Sequence, residues 1–365
     1  MTGAATTRNL TVVQLRTVYR DVFSRLGVPA DDVEIIAANL LDADLNGTDS
    51  HGIARVPTYV DRILTGGIKP VTVITTIDDS GSTLLLDAGA GVGQVAAHRA
   101  AEMLIERTAK FGTASVAVRN ANHLGALAYY TRMAAEHDQI ALLISGVAST
   151  LAPWGGSEAL LGSNPWSVAC PAAEHDMVIL DMANGLVTSG EIRHSALTGE
   201  SLPPGVALSA DGEPTTDGSV ALRGSIVPIG GHKGYALTFV WEILASVLTG
   251  ASFSRYITKF EDPSSPKGIG YLFIGLDIAR FMEPAAFKTR VDELIDIVTL
   301  SRAIGGREIR YPGAHAGRTR RERTERGVPV TDEVIGKVRS ACTQVGAQVA
   351  LSVLAPLTYS AAAGA

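Results

Sequence analysis

Apolar residues recur at helical spacing from Thr11 to Leu26 and again from Asp31 to Leu45. Asp31 and Asp32 stand where they can cap and charge the first turn of the second helix. A third helix is expected through Tyr59 and Ile63, stopped by Gly66-Gly67 with Pro70 close behind. From about Val71 the texture changes. Val71 to Thr76 and Ser82 to Ala88 are rich in β-forming residues. A helix from Gln94 to Phe111, a strand from Ala114 to Val118, a helix from Ala126 to Glu136 and a strand from Ile140 to Ser145 follow. Further strands are expected at Ser167 to Ala169, Met177 to Asp181 and Gly270 to Leu276. Leu202 to Asp217 reads as a Gly/Pro/Asp-rich loop. Tyr235 to Leu248 reads as a buried helix, interrupted by Glu242. After Pro284 the chain turns helical and more polar. Residues 318–326 form a charge-dense stretch, expected as a solvated face with local ion pairs.

Helical ends around a mixed middle predict an α/β protein in two parts. Residues 1–70 plus 285–365 would form a helical lobe, and residues 71–284 a mixed-sheet domain. At 46% apolar and 19% charged residues the chain is globular, and its net charge of −6 argues against a nucleic-acid surface. Two cysteines are too few for a disulfide framework, and both lie in apolar surroundings that suit inert thiols. The N-terminal residues lack the apolar core of a secretion signal, and no charge-free apolar stretch reaches membrane length. A cytoplasmic enzyme is expected. His and Cys spacing suits no structural zinc, so no metal is expected.

The candidate chemistry begins at Asp49-Ser50-His51-Gly52-Ile53-Ala54-Arg55. In a continuous helix His51 and Arg55 would face the same way. Arg55 offers a fork matched to a carboxylate, and histidine suits proton transfer near neutral pH. Read blandly, the same stretch is a helix cap and a surface histidine. Asn122-His123-Leu124-Gly125 lies between a strand and a helix, where an anion could dock. Gly89-Ala90-Gly91-Val92-Gly93 follows a strand and precedes a helix, but its spacing misses the dinucleotide fingerprint. Gly230-Gly231-His232-Lys233 opens a helix with a cation, though not as a P-loop.

These pieces, together with Gly66-Gly67, Gly93-Gln94, Leu161-Gly162-Ser163-Asn164-Pro165, Asp181-Met182-Ala183, Pro214-Thr215-Thr216-Asp217, His232-Lys233-Gly234-Tyr235 and Tyr311-Pro312-Gly313, resemble the malate/L-lactate dehydrogenase family. The resemblance runs from about Leu15 to Val330. It implies a non-Rossmann NAD(P)-binding fold, a homodimer, and an active site between lobes shared with the partner subunit. The implied activity is hydride transfer between NAD or NADP and C2 of a small 2-hydroxy or 2-keto acid. A reductase of cyclic 2-imino acids and a non-catalytic ligand-binding relative are the alternatives. Cofactor contacts carried over by motif fall on His123, Leu124, Gly125, Ala126, Leu127, Gly162, Asp181, Met182, Ala183, His232, Lys233 and Gly313. His51 beside Ser50 is the favoured acid/base, oriented by Glu191 as in the imine reductases. His123 is the rival or a substrate contact, and Arg55 holds the carboxylate. The chain departs from the family at Asn184-Gly185 and Ala314-His315, which puts cofactor preference and activity in question.

Overall fold

The computed structural model describes residues 6–259 and 262–355. The ends assigned to the helical lobe, 1–5 and 356–365, lie outside the described residues. Thr11 caps the first helix, Val12–Arg25, through a capping box with Gln14. The second helix spans Ala30–Leu45. These helices pack with Val56–Leu64 and Asp332–Val345 around a core drawn from residues 10–95 and 328–354. A two-stranded antiparallel ribbon, Thr7–Leu10 against Val328–Thr331, ties the chain ends together.

The middle of the chain builds a seven-stranded sheet. Its spatial order is Thr75–Asp79, Thr83–Asp87, Thr113–Ala121, Ile269–Asp277, Gln139–Ser145, Trp166–Cys170 and Val178–Met182. Only Thr83–Asp87 and Thr113–Ala121 pair in parallel, joined by the helix Gly93–Phe111. The remaining pairings are antiparallel, so this is no doubly wound parallel sheet. A second, five-stranded sheet is made of two- and three-residue strands between 149 and 226. Two of these, Ala207–Leu208 and Pro214–Thr215, fall within the stretch expected to be a loop. Strands this short carry no readable alternation.

The Gly89–Gly93 stretch is the turn of that single parallel crossover, which is why it imitates a dinucleotide loop. Its glycines face protein. A Cβ on Gly91 would stand 2.8 Å from Thr72, and one on Gly93 only 2.3 Å from the His123 carbonyl oxygen.

Three expectations change. The helix His232–Glu242, continued by a π-helical turn Ile243–Val247, is turned inside out. Thr238, Glu242 and Ser246 are buried, while Phe239, Val240, Ile243, Val247 and Leu248 are exposed. The Glu242 carboxylate accepts from Asn164 Nδ2 at 2.5 Å and from the Ser254 N–H at 2.7 Å. Glu242 therefore faces inward, and the apolar residues that suggested a buried helix lie on the outer side.

The arginine-rich helix Ala314–Arg326 is likewise no plain solvated face. Arg320 pairs with Asp42 at 2.6 Å, Arg321 with Asp176 at 2.6 Å, and Arg323 with Asp49. These pairs clamp the helix across both parts of the fold. Finally, the helix Pro284–Thr299 joins the sheet side: Asp292 accepts from the Ala173 and Glu174 N–H groups and Lys288 meets Asp138 at 3.0 Å. The return to the helical core comes later in the chain than residue 285.

Replacing Gly91 by Ala is expected to destabilise the protein by about 1–3 kcal/mol, the usual penalty for overpacking. Urea unfolding measures it. Unchanged stability together with lost cofactor affinity would restore the dinucleotide-loop reading.

Candidate active site

The Asp49–Arg55 stretch is not one helix. Gly52 (φ −94°, ψ −134°) divides it into two short 3-10 turns, Asp49–His51 and Ile53–Arg55. His51 and Arg55 are neighbours because Arg55 Nε turns back to the Ser50 carbonyl at 2.6 Å, and not through helical spacing. The Ser50 hydroxyl lies 2.9 Å from His51 Nδ1.

This loop rests on Asp44. That side chain lies on the apolar stripe of the second helix and is 1% exposed. It accepts from the Ile53 N–H at 3.0 Å and from the Tyr19 hydroxyl. A Cβ on Gly52 would stand 1.7 Å from Asp44 Oδ1, so only glycine lets the loop sit this close. Burial pushes the Asp44 carboxyl up to about 7, against the pull of its two donors. Arg323 fastens the other side of the loop, reaching Asp49 and the Asp44 carbonyl at 2.6 Å.

His123 arrives from the sheet, just past the strand Thr113–Ala121. Asn122 fixes its backbone by donating to the Ala90 and Gly91 carbonyls at 3.0 and 3.1 Å and accepting from the Lys267 N–H at 3.1 Å. The His123 and His51 rings stack with centroids 5.4 Å apart. Tyr59, one turn beyond Arg55, places its hydroxyl 2.7 Å from His123 Nδ1.

The site lies where the lobe meets the sheet. His51, Arg55 and His123 each keep a solvent-facing edge while protein crowds them from most sides. Desolvation, reinforced by the Arg55 charge, drives His51 down to about 3. The same causes, with His51, Lys267 and Arg62 adding to them, hold His123 well below the usual imidazole range. Two neutral imidazoles beside an arginine can bind a carboxylate and exchange a proton on an adjacent oxygen.

Glu191 is not brought into this arrangement. It is exposed and caps the helix Ser189–Thr198, its Oε2 accepting from the Thr188 N–H at 2.7 Å and hydroxyl at 2.8 Å. Among the described residues it makes no hydrogen bond to His51.

The residues expected to hold a cofactor occupy distinct places. Gly125 (φ +80°) turns the His123–Leu127 loop under Asn39, leaving no room for a Cβ. Asp181 Oδ2 accepts the Ala128 N–H at 2.8 Å at the start of the helix Ala128–Ala135. Crowding pushes the Asp181 carboxyl up to about 6. Met182 ends a strand, with Ala183 after it. Gly162 is packed against Val147 and Asn164, and Gly313 (φ +98°) against Met177 and Ile179. His232 and Lys233 are exposed at a helix start with no side-chain cap, after Gly230 and Gly231 at φ +57° and +63°.

The two departures from the family pattern have structural answers. Asn184 is buried. It donates to the Ser163 and Asn164 carbonyls at 3.1 and 2.9 Å and accepts from Trp166 Nε1 at 3.3 Å. A Cβ on Gly185 would meet Ile226 at 2.8 Å. The Asn184-Gly185 pair is an ordered clamp. Ala314 simply opens the arginine-rich helix and His315 is exposed.

Residues 10–339 match the family model described as malate/L-lactate dehydrogenase. The chain belongs to the malate/L-lactate dehydrogenase family. An L-sulfolactate dehydrogenase of Methanothermobacter thermautotrophicus is 36% identical over 88% of this chain and 92% of its own length. A Delta(1)-pyrroline-2-carboxylate/Delta(1)-piperideine-2-carboxylate reductase of Pseudomonas putida is 32% identical over 88% of this chain and 93% of its own length. The solved sulfolactate dehydrogenase of Methanocaldococcus jannaschii superposes with a TM-score of 0.87 at 34% identity, covering 93% of this chain and 98% of that one. A malate dehydrogenase of Entamoeba histolytica superposes with a TM-score of 0.90 at 26% identity, covering 97% and 100%. This family member is an NAD(P)-dependent oxidoreductase of small hydroxy acids.

The residues present fit such a cofactor at one helix end in particular. The uncapped start at His232-Lys233 suits a phosphate. The start at Ala128 is already taken by Asp181. Among the described residues no cluster of His, Cys, Asp and Glu is arranged to hold a metal ion, and no helix is long and apolar enough to cross a membrane.

Asp44 gives a pH prediction. Its folded value of about 7 lies above the ordinary 3.8, so the native state holds an extra proton between them. Its contribution therefore falls as pH rises from about 4 to about 7. Over that range the wild type should lose stability relative to Asp44→Asn, as read by urea unfolding at several pH values. Parallel curves would exclude a titrating Asp44.

Proposed function

We propose that this enzyme interconverts a compact 2-oxo acid and its 2-hydroxy acid, with a second anionic group on the substrate as in malate or sulfolactate. The observation that carries this reading is Arg55 beside the stacked His51 and His123 rings where lobe and sheet meet. Arg55 takes the substrate carboxylate, for which its planar guanidinium is the matching shape. His51, with the Ser50 hydroxyl 2.9 Å from its Nδ1, exchanges the proton of the C2 hydroxyl. Ser50 orients it. His123 faces the same oxygen. A nicotinamide cofactor would supply or receive the hydride, and the His123–Leu127 loop, Gly162, Asp181 to Ala183, His232, Lys233 and Gly313 would hold its dinucleotide.

The second anionic group is argued from relatives named for malate and sulfolactate. The cyclic imino-acid alternative drew on Glu191 as partner of His51, and the capping task of Glu191 removes that support. The non-catalytic alternative drew on the departures at Asn184-Gly185 and Ala314-His315, and the ordered Asn184 clamp weakens it.

The proposed assembly is a cytoplasmic homodimer with a shared active site. Its support is the exposed row Phe239, Val240, Ile243, Val247 and Leu248, apolar surface that a second copy would cover.

A panel of 2-oxo acids and cyclic imines against NADH and NADPH tests the substrate reading, with cofactor fluorescence as signal. Oxaloacetate and sulfopyruvate should be turned over fastest, and the imines leading the panel would reverse the choice. Within that assay His51→Ala should lower kcat by about 10²–10⁴-fold with little change in cofactor affinity. Arg55→Lys should chiefly raise the substrate KM, because the planar fork is lost. A near-normal His51→Ala with an inactive His123→Ala would exchange the two histidines. For the dimer, Val240→Glu combined with Val247→Glu should give monomers in sedimentation analysis. An unshifted dimer would place the interface elsewhere.

A further inference from the structure

His51 stands midway between two tethers, and both converge on Asp44. Two residues after it, the Ile53 N–H donates to Asp44 Oδ1 at 3.0 Å. Two residues before it, Asp49 is held by Arg323, whose Nη1 and Nη2 reach one carboxylate oxygen each, Nη2 at 3.3 Å. The same Nη1 donates to the Asp44 carbonyl at 2.6 Å. Tyr19 in turn donates to the other Asp44 carboxylate oxygen. A guanidinium fork on a carboxylate fixes direction as well as distance. The Arg323 side chain is 14% exposed, sheltered enough to be held in one place.

Packing does not hold this loop on its far side. A cavity of about 100 Å³ lies between it and the ribbon strand Val328–Thr331, lined on the loop side by Asp44, Asp49, Ile53 and Ala54. Across a cavity no protein atoms press back on the loop. Gly52 separates the two 3-10 turns, so the Ile53 bond fixes the second turn and leaves the first able to pivot. The first turn carries His51. The bond from Arg55 Nε to the Ser50 carbonyl ties the two turns to each other and anchors neither to the body of the protein. Arg323 does supply such an anchor, at Asp49.

We propose that Arg323 is a positioning residue for the reaction: through Asp49 it holds the turn that carries His51 in place against His123, beside a cavity into which that turn would otherwise relax. The same helix pairs with Asp42 on the lobe and Asp176 on the sheet side, so the place of His51 is tied to the docking of the two bodies. The inference rests on the proposed role of His51 for its meaning in catalysis, but not for the loop measurement that tests it.

The test is hydrogen exchange of the unliganded protein read by mass spectrometry, with the kinetics of 2-oxo-acid reduction alongside. In Arg323→Met the amides of residues 49–53 should exchange about 10-fold faster than in wild type, while those of the strand Thr113–Ala121 keep their rate, as a local opening requires. The kcat should fall by about 10–100-fold, the scale of a displaced reacting group, with substrate KM and cofactor affinity changing less. In a His51→Ala background the same substitution should cost less than about twofold, since a residue that acts through His51 then has nothing left to position. If Arg323→Met does not fold, Asp49→Asn carries the same readouts. Unchanged exchange in the loop overturns the proposal, as does a further full loss of kcat in the His51→Ala background. Normal turnover by His51→Ala itself would sink the role given to His51, and the loop exchange alone then decides whether Arg323 holds the turn.

Discussion

The hydrogen bond from Tyr59 to His123 holds the site together, because its two ends belong to different parts of the fold. Tyr59 comes from a helix of the lobe, and His123 from the end of a central strand of the sheet. Each end is separately braced. Arg62, 2% exposed and one turn beyond Tyr59, donates to the Asp262 and Ser265 carbonyls at 2.7 Å each. Asn122 ties the His123 segment to the Ala90-Gly91 turn. The site is therefore set by the docking of lobe on sheet. Small shifts of either body would change the distance between His51 and His123, and rigid support of this kind is what proton exchange at a fixed atom requires.

The same docking explains where the charges went. The helix Ala314–Arg326 spans the two bodies, and its arginines meet Asp42 and Asp49 on the lobe and Asp176 on the sheet hairpin. Arg323 reaches the loop that carries His51, so this clamp and the active-site loop are one connected structure. Exposed ion pairs add little stability singly, but a row of them across a seam fixes relative position. The inverted helix His232–Glu242 follows a similar logic. Its buried carboxylate is satisfied by Asn164 and the Ser254 N–H, which frees its apolar residues to face outward.

Much was legible before any coordinates. The first two helices, the helix Gly93–Phe111 and the long strands fell close to their expected spans, because sustained periodicity and strong caps leave few alternatives. The failure of Gly89–Gly93 as a dinucleotide loop was readable from its spacing. Asp44 could have been noticed as a carboxylate on an apolar stripe, at a spacing of three or four from Leu40 and Leu41. Tyr59 was visible as a motif residue without a task. Nothing local announces that a phenol 64 positions away will find His123.

The sequence by itself determined the family, the fold class and the set of chemical groups, since residue type, order and periodicity are properties of the chain. Tertiary structure decided how those groups meet. It broke the expected helix at Gly52 because Asp44 fills the space a side chain would need. It spent Glu191 on a helix cap, turned Glu242 inward, and stacked two histidines from opposite bodies into one neutral pair. Those outcomes depend on close packing between segments far apart in the chain, and a one-dimensional pattern carries no distances.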